Sequence, residues 1–110
     1  MMKVRIDKDY CSDPVWVMEE GESFYANGYL PDFKDILSEE LMKDLESYSE
    51  LWESYFWKLS QDDTYKSEAE EVGIEAFDFL AKSLAFRCKS EAPQIQWSYW
   101  NPETKQVVEI

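Results

Sequence analysis

From Leu41 to Leu59 the large apolar residues Leu41, Leu45, Tyr48, Trp52, Tyr55 and Leu59 recur at steps of 4, 3, 4, 3 and 4. Steps that alternate between three and four keep one side of a 3.6-residue helix apolar, so the pattern predicts an amphipathic helix sustained over about five turns. Its start is marked as well. Ser38 is placed to cap it, Glu39 and Glu40 complement the positive end of the helix dipole, and Leu37 with Met42 has the spacing of a hydrophobic staple. At about 100° per residue, Glu46, Glu50, Glu53 and Trp57 fall roughly 150° from the centre of the stripe. The two tryptophans of ELWESYFWKLS are thereby divided: Trp52 belongs to the core, and Trp57 stands among glutamates on the outer face.

Gln61-Asp62-Asp63-Thr64 interrupts the pattern, and Ser67-Glu68-Ala69-Glu70 fits the S-x-x-E capping box that opens a second helix. Its inner stripe is expected to run through Ala69, Gly73, Phe77, Leu80, Ala81, Leu84 and Cys88. Gly73 and the alanines leave room for the first helix to approach closely, which favours an antiparallel helical hairpin. Arg87 and Lys89 suit the negative end of this helix, and Pro93 stops it. Glu68, Glu71, Glu75, Asp78 and Lys82 read as a solvent face. Phe79 and Phe86 lie on or beside that face, so a sheet or the N-terminal segment is expected to cover it.

Outside the helices the period drops to two. KVRID at 3–7 places Val4 and Ile6 on one side of a strand, and YCSDP reads as a turn. Val15 to Met18 predicts a second strand, followed by an EEGE turn and a third strand over Ser23 to Ala26. Asn27-Gly28 then has the composition of a type I′ hairpin turn. At the other end IQWSYW alternates, with Ile95, Trp97 and Tyr99 opposed to Gln96, Ser98 and Trp100; NPET turns and KQVVEI returns. The order strands, helix, helix, strands predicts an α+β fold: a two-helix antiparallel hairpin packed on a small antiparallel sheet of N-terminal and C-terminal strands, residues 1–110 forming a single domain.

Composition supplies the material for such a core, with 45% hydrophobic and 16% aromatic residues. No apolar run approaches the about 20 residues of a membrane span, and MMKVRIDKDY lacks the apolar stretch of a signal peptide, so a cytoplasmic protein is expected. Cys11 and Cys88 are far apart and without CxxC spacing, which favours free thiols. Charge changes the picture most. Against 11 basic residues stand 24 acidic ones, for a net −13, and residues 7–78 alone hold 21 acids and 5 bases. Such a surface repels phosphates and anionic lipid, so direct nucleic-acid or membrane binding is disfavoured, while a basic protein partner is attracted.

Chemistry is sparsely encoded. Histidine is absent, which removes imidazole triads and the commonest zinc ligand, and Gly21, Gly28 and Gly73 fit no phosphate-binding loop. Asp7 to Asp13 carries aspartates at three EF-hand positions but lacks the central glycine and closing glutamate. Neither catalytic residues, a metal site nor a cofactor is expected. The candidate site is instead a surface: Trp57 as an aromatic anchor ringed by Glu46, Glu50 and Glu53, with Glu19, Glu20 and Glu22 beside Phe24 and Tyr25 as a second acidic patch.

Small size, acidity, aromatic richness and the segments MKVRIDKDYCSDPVW and, ahead of a terminal strand pair, DFLAKSLAF resemble the small immunity proteins of bacterial contact-dependent and polymorphic toxin systems. That resemblance implies a cytosolic acidic protein that binds a basic, nuclease-type toxin domain and blocks it. The alternative is a nucleic-acid-mimicking inhibitor or adaptor of a host or phage-defence protein; an enzyme built on a carboxylate pair is a third class. The two tryptophans generate opposite expectations. Trp52→Ala should cost roughly 3–5 kcal/mol of folding stability in urea titrations. Trp57→Ala should leave the unfolding midpoint nearly unchanged while weakening partner binding by more than about 1 kcal/mol in calorimetry.

Overall fold

A computed structural model describes the backbone of residues 2–9, 11–61 and 66–110, and their side chains except at 57–61 and 66–72. Three strands, β1 (Lys3–Ile6), β2 (Val15–Met18) and β3 (Ala26–Asn27), precede a 3₁₀ turn at Leu30–Phe33. Helices α1 (Glu39–Gln61) and α2 (Lys66–Glu91) follow, and β4 (Gln96–Asn101) with β5 (Gln106–Glu109) closes the chain. The α+β architecture is as the residue pattern predicts.

All five strands form one sheet in the order β3-β2-β1-β4-β5. It is mixed rather than antiparallel throughout, because β1 and β4 run parallel, with Val4 opposite Trp97 and Ile6 opposite Tyr99. The physical reason is the connection: the whole helical hairpin lies between β1 and β4, long enough for the crossover that a parallel pair requires. Short loops join the antiparallel neighbours. Register places Val4, Ile6, Val15, Val17, Trp97, Tyr99 and Val108 on the face toward the helices. Val4, Ile6, Val15 and Trp97 there are sealed from solvent, and the Trp97 indole donates to the Ala92 carbonyl at 2.8 Å.

The expected Asn27-Gly28 hairpin turn does not form. Asn27 pairs with Trp16 across the β2–β3 ladder, and the Gly28 amide continues it by donating to Val15 O at 2.8 Å. A Cβ on Gly28 would lie 2.8 Å from Val17 Cγ2, so this glycine answers a close approach between strands rather than a turn. The actual reversal falls at residues 19–25, where Gly21 takes φ 88°.

The α1 stripe is buried as its spacing predicts at Leu41, Leu45, Tyr48 and Trp52. Leu41 N donates to Ser38 Oγ at 3.2 Å, which makes Ser38 the cap, and Glu91 from the end of α2 accepts hydrogen bonds from Ser38 N (2.6 Å) and Ser38 Oγ (2.9 Å). A carboxylate at the positive end of α1 is favourably placed. Arg87 reaches Asp44 at 2.7 Å, and Phe77 packs against Tyr48, Trp52 and Tyr55. Contacts thus pair in reverse chain order, as in an antiparallel hairpin.

Three expectations for α2 are overturned, the first at Leu80, which its spacing assigns to the inner stripe but which is 45% exposed because it falls at the margin of the sector that α1 covers. Asp78, read as solvent-facing, is 3% exposed, because it meets Lys8 from the end of β1. Phe79 and Phe86, expected to lie under a covering layer, are 73% and 47% exposed. The sheet takes the sector of α2 that presents Ala81, Ala85 and Cys88, and α1 takes the sector of Gly73, Phe77 and Leu84. The flank carrying Phe79 and Phe86 receives neither. Gly73 gives a direct test of the hairpin. A Cβ there would run into the Tyr55 ring, which is held against Trp52 and Phe77. Although alanine is the better helix former by about 1 kcal/mol, Gly73→Ala should destabilise the protein by about 1–3 kcal/mol. In a Tyr55→Ala background the same substitution should become stabilising, as read from urea midpoints.

Candidate functional site

The turn at 11–14, which leads into β2, is pinned from two sides. Asn27 accepts from Asp13 N at 3.1 Å and donates to Asp13 O at 2.8 Å, while Ser49 from α1 donates to Ser12 O at 2.9 Å. One carboxylate oxygen of Asp13 accepts from Leu30 N at 2.7 Å, which draws the 3₁₀ turn alongside. Cys11, at φ 53°, lies on the rim of this turn with its side chain exposed.

Held in this way, the turn faces the outer side of α1 across a depression of about 330 Å³ lined by Cys11, Asp13, Leu30, Glu46, Glu50 and Glu53 among others. Four carboxylates line it and no basic residue does, among the described residues. An adjoining depression of about 430 Å³ shares Asp13, Leu30 and Glu46, is bordered by Tyr29, Pro31 and Met42, and brings in two basic residues, Lys34 and Lys43. Tyr29 is largely exposed and Leu30 is buried, so the pair gives the groove an apolar floor with an aromatic lip. Like charges crowded in one concavity repel each other, and a cation entering it relieves that repulsion.

The predicted residues divide between two places. Glu46, Glu50 and Glu53 share one wall of this groove. Trp57 stands one turn further along α1, and its side chain lies outside the described residues. Glu19, Glu20 and Glu22 sit after β2, whereas Asp13 precedes it, so the length of the strand, on the order of 15 Å, keeps the two acidic groups apart. There the Glu22 carboxylate accepts from Glu19 N at 3.0 Å and closes the turn on itself, beside a fully presented Phe24. Asp13, Tyr29, Leu30 and Met42 are groove residues that sequence reasoning missed. The one signal available was the pair of proline-containing turns YCSDP and GYLP, which says that the chain reverses but not what it then faces.

A second polar cluster lies under the helices. Lys8 Nζ pairs with the buried Asp78 and sits 3.8 Å from Asp7, with the Trp52 ring 5.4 Å away. Arg5 Nε is 3.4 Å from Asp7 Oδ2 without hydrogen-bond alignment. Burial pushes the Asp7 carboxyl above its ordinary value of 3.8, outweighing the Lys8 amide, Lys8 and Arg5, which pull it down. Burial next to Asp7 and Asp78 also raises the pKa of the Tyr48 hydroxyl, which has no hydrogen-bond partner. The Lys8–Asp78 pair at the centre of this cluster ties the end of β1 to α2. Cys88 is sealed beneath α2, its thiol pushed up to about 12 by burial.

No group of three or more His, Cys, Asp or Glu is placed to hold a metal ion, and no helix is long and apolar enough to cross a membrane, among the described residues. No family model matches the chain, and neither a curated protein nor a solved structure matches it.

Asp7 makes a signed prediction. A carboxyl whose folded pKa is raised holds its proton more tightly when folded, so its contribution falls as pH rises from 3.8 to the raised value. Asp7→Asn removes that fall. Across this window the stability of the variant relative to the parent should therefore increase with pH, measured by urea unfolding at a series of pH values.

Proposed function

We propose that this chain is a non-catalytic binding protein that seats a basic protein domain in the groove between α1 and the 11–14 turn, in the manner of a bacterial cytoplasmic immunity protein acting on a nuclease-type toxin. The observation that carries the reading is the convergence of Asp13, Glu46, Glu50 and Glu53, from two separate elements, around a floor that includes Leu30. Carboxylates in this arrangement meet lysine and arginine side chains that would otherwise hold phosphates, so occupying them blocks a nucleic-acid surface directly. Tyr29 adds aromatic area where the partner's desolvated centre would rest.

The experiment is co-expression with the product of the gene immediately upstream, followed by calorimetry of the purified pair. Binding should weaken as salt rises. The triple substitution Glu46→Gln, Glu50→Gln, Glu53→Gln should lower affinity about tenfold or more, while the same change at Glu19, Glu20 and Glu22 has a smaller effect. Complex formation should also shield Cys11, on the groove rim, from a thiol reagent, with Cys88 silent until unfolding. Affinity indifferent to the triple change, with Cys11 equally reactive in the complex, would remove the groove from the interface.

A further inference from the structure

A hollow that shares no residue with the acidic groove lies where α2 passes over the end of β4. Glu75, Asp78, Phe79 and Lys82 recur at steps of 3, 1 and 3, which sets them on one face of α2, and that face makes one wall. Tyr99, Trp100 and Glu103 make the other, from β4 and the turn after it. Glu103 N donates to Asn101 Oδ1 at 2.9 Å, which fixes the start of that turn on the rim. The volume is about 300 Å³, at the small end of the range for ligand pockets.

Three features of the lining define what it can hold. Tyr99 is only 7% exposed, yet it lines the hollow and its hydroxyl makes no hydrogen bond to a described residue. A buried phenol ordinarily has a partner, so this hydroxyl is an unused polar group on the wall of an open volume. The ring of the same residue already attracts a cation: Lys82 Nζ stands 5.6 Å from its centroid and forms no ion pair among the described residues. Of the three carboxylates, Asp78 is neutralised by Lys8, whereas Glu75 and Glu103 have no basic partner among the described residues. Two free carboxylates thus stand against one ammonium, and the hollow keeps negative charge beside rings whose faces attract positive charge.

We infer that this hollow binds a guanidinium group. An anion would meet Glu75 and Glu103, so the ligand is cationic. The acceptors narrow it further. A quaternary ammonium satisfies aromatic faces but carries no N–H for the Tyr99 oxygen or for the carboxylates. A guanidinium is planar, so it stacks on a ring while its N–H groups reach acceptors at the side. Lys82 is then an internal competitor, its ammonium holding the Tyr99 ring until the ligand displaces it.

Butylguanidinium chloride titrated into the full chain tests this. The Trp100 indole N–H and the amides of residues 99–103 should shift in heteronuclear NMR spectra, with a dissociation constant of about millimolar. Tetramethylammonium should bind at least about fivefold more weakly. Glu75→Gln with Glu103→Gln should weaken butylguanidinium about tenfold, and Tyr99→Phe, which keeps the ring, about threefold. Lys82→Met should tighten it about threefold, where a site for anions would lose binding. Lys82, Glu75 and Glu103 are exposed, so these variants report even where Tyr99→Phe folds poorly. The triple change Glu46→Gln, Glu50→Gln, Glu53→Gln should alter the constant less than about twofold, which separates this hollow from the acidic groove and from general attraction to a chain of net charge −13.

A capped Gly-Arg-Gly peptide distinguishes the sources of the group. Tighter binding than butylguanidinium assigns it to an arginine side chain of a protein, and weaker binding assigns it to a free small molecule. Equal binding of tetramethylammonium would overturn the proposal. So would unmoved Trp100 and Tyr99 signals at about 50 mM butylguanidinium, or binding indifferent both to Lys82→Met and to the double change at Glu75 and Glu103.

Discussion

Parallel pairing of β1 with β4 sets Val4 beside Trp97 and Ile6 beside Tyr99, and the apolar surface this makes positions every other layer. It joins the two ends of the chain at the centre of the sheet, so neither the N-terminal nor the C-terminal strands form a separate unit. On it rests α2, through residues small enough, Ala81, Ala85 and Cys88, to let the helix lie close. At the end of β1 the chain delivers Lys8 to the buried Asp78, which fixes where α2 stands along the strands. A buried ion pair of this kind specifies position more than it stabilises, because desolvation of both charges offsets their attraction.

Once α2 is seated, its two flanks have different fates. One receives α1 through the Phe77 ring cluster and the Gly73–Tyr55 contact, and the outer side of α1 then meets the 11–14 turn to form the acidic groove. The other flank meets only β4 among the described residues, where Phe86 approaches Tyr99, and keeps its phenylalanines exposed. The acidic groove is thus a consequence of how α1 and the 11–14 turn are seated around α2, and charge dominates it.

The groove was partly legible in the chain. Glu46, Glu50 and Glu53 recur at steps of 4 and 3, which puts them on one helix face whatever else happens, so their shared wall is a local property. The facing wall is not local. Asp13 comes within reach only because Asn27 and Ser49 hold the turn, contacts spanning 14 and 37 positions of sequence. Glu19, Glu20 and Glu22 show the converse. Their density marks a second patch, and the length of one short strand sets it apart from Asp13, a separation that composition alone does not give.

What the sequence determined by itself is what short-range periodicity encodes: two helices, the Ser38 cap of the first, most of the buried α1 stripe, strands at both ends and an acid-rich middle. These follow from backbone geometry that repeats every two or every 3.6 residues, which neighbours in the chain enforce. Tertiary structure decided whatever depends on a partner far away in sequence. Asn27-Gly28 became part of a ladder because β2 was there to pair with it. Asp78 left solvent because Lys8 met it, and the central strands ran parallel because a long crossover lay between them. Each outcome set a weak local preference against a contact formed only on folding, and the contact, with its burial and hydrogen bonds, outweighed it.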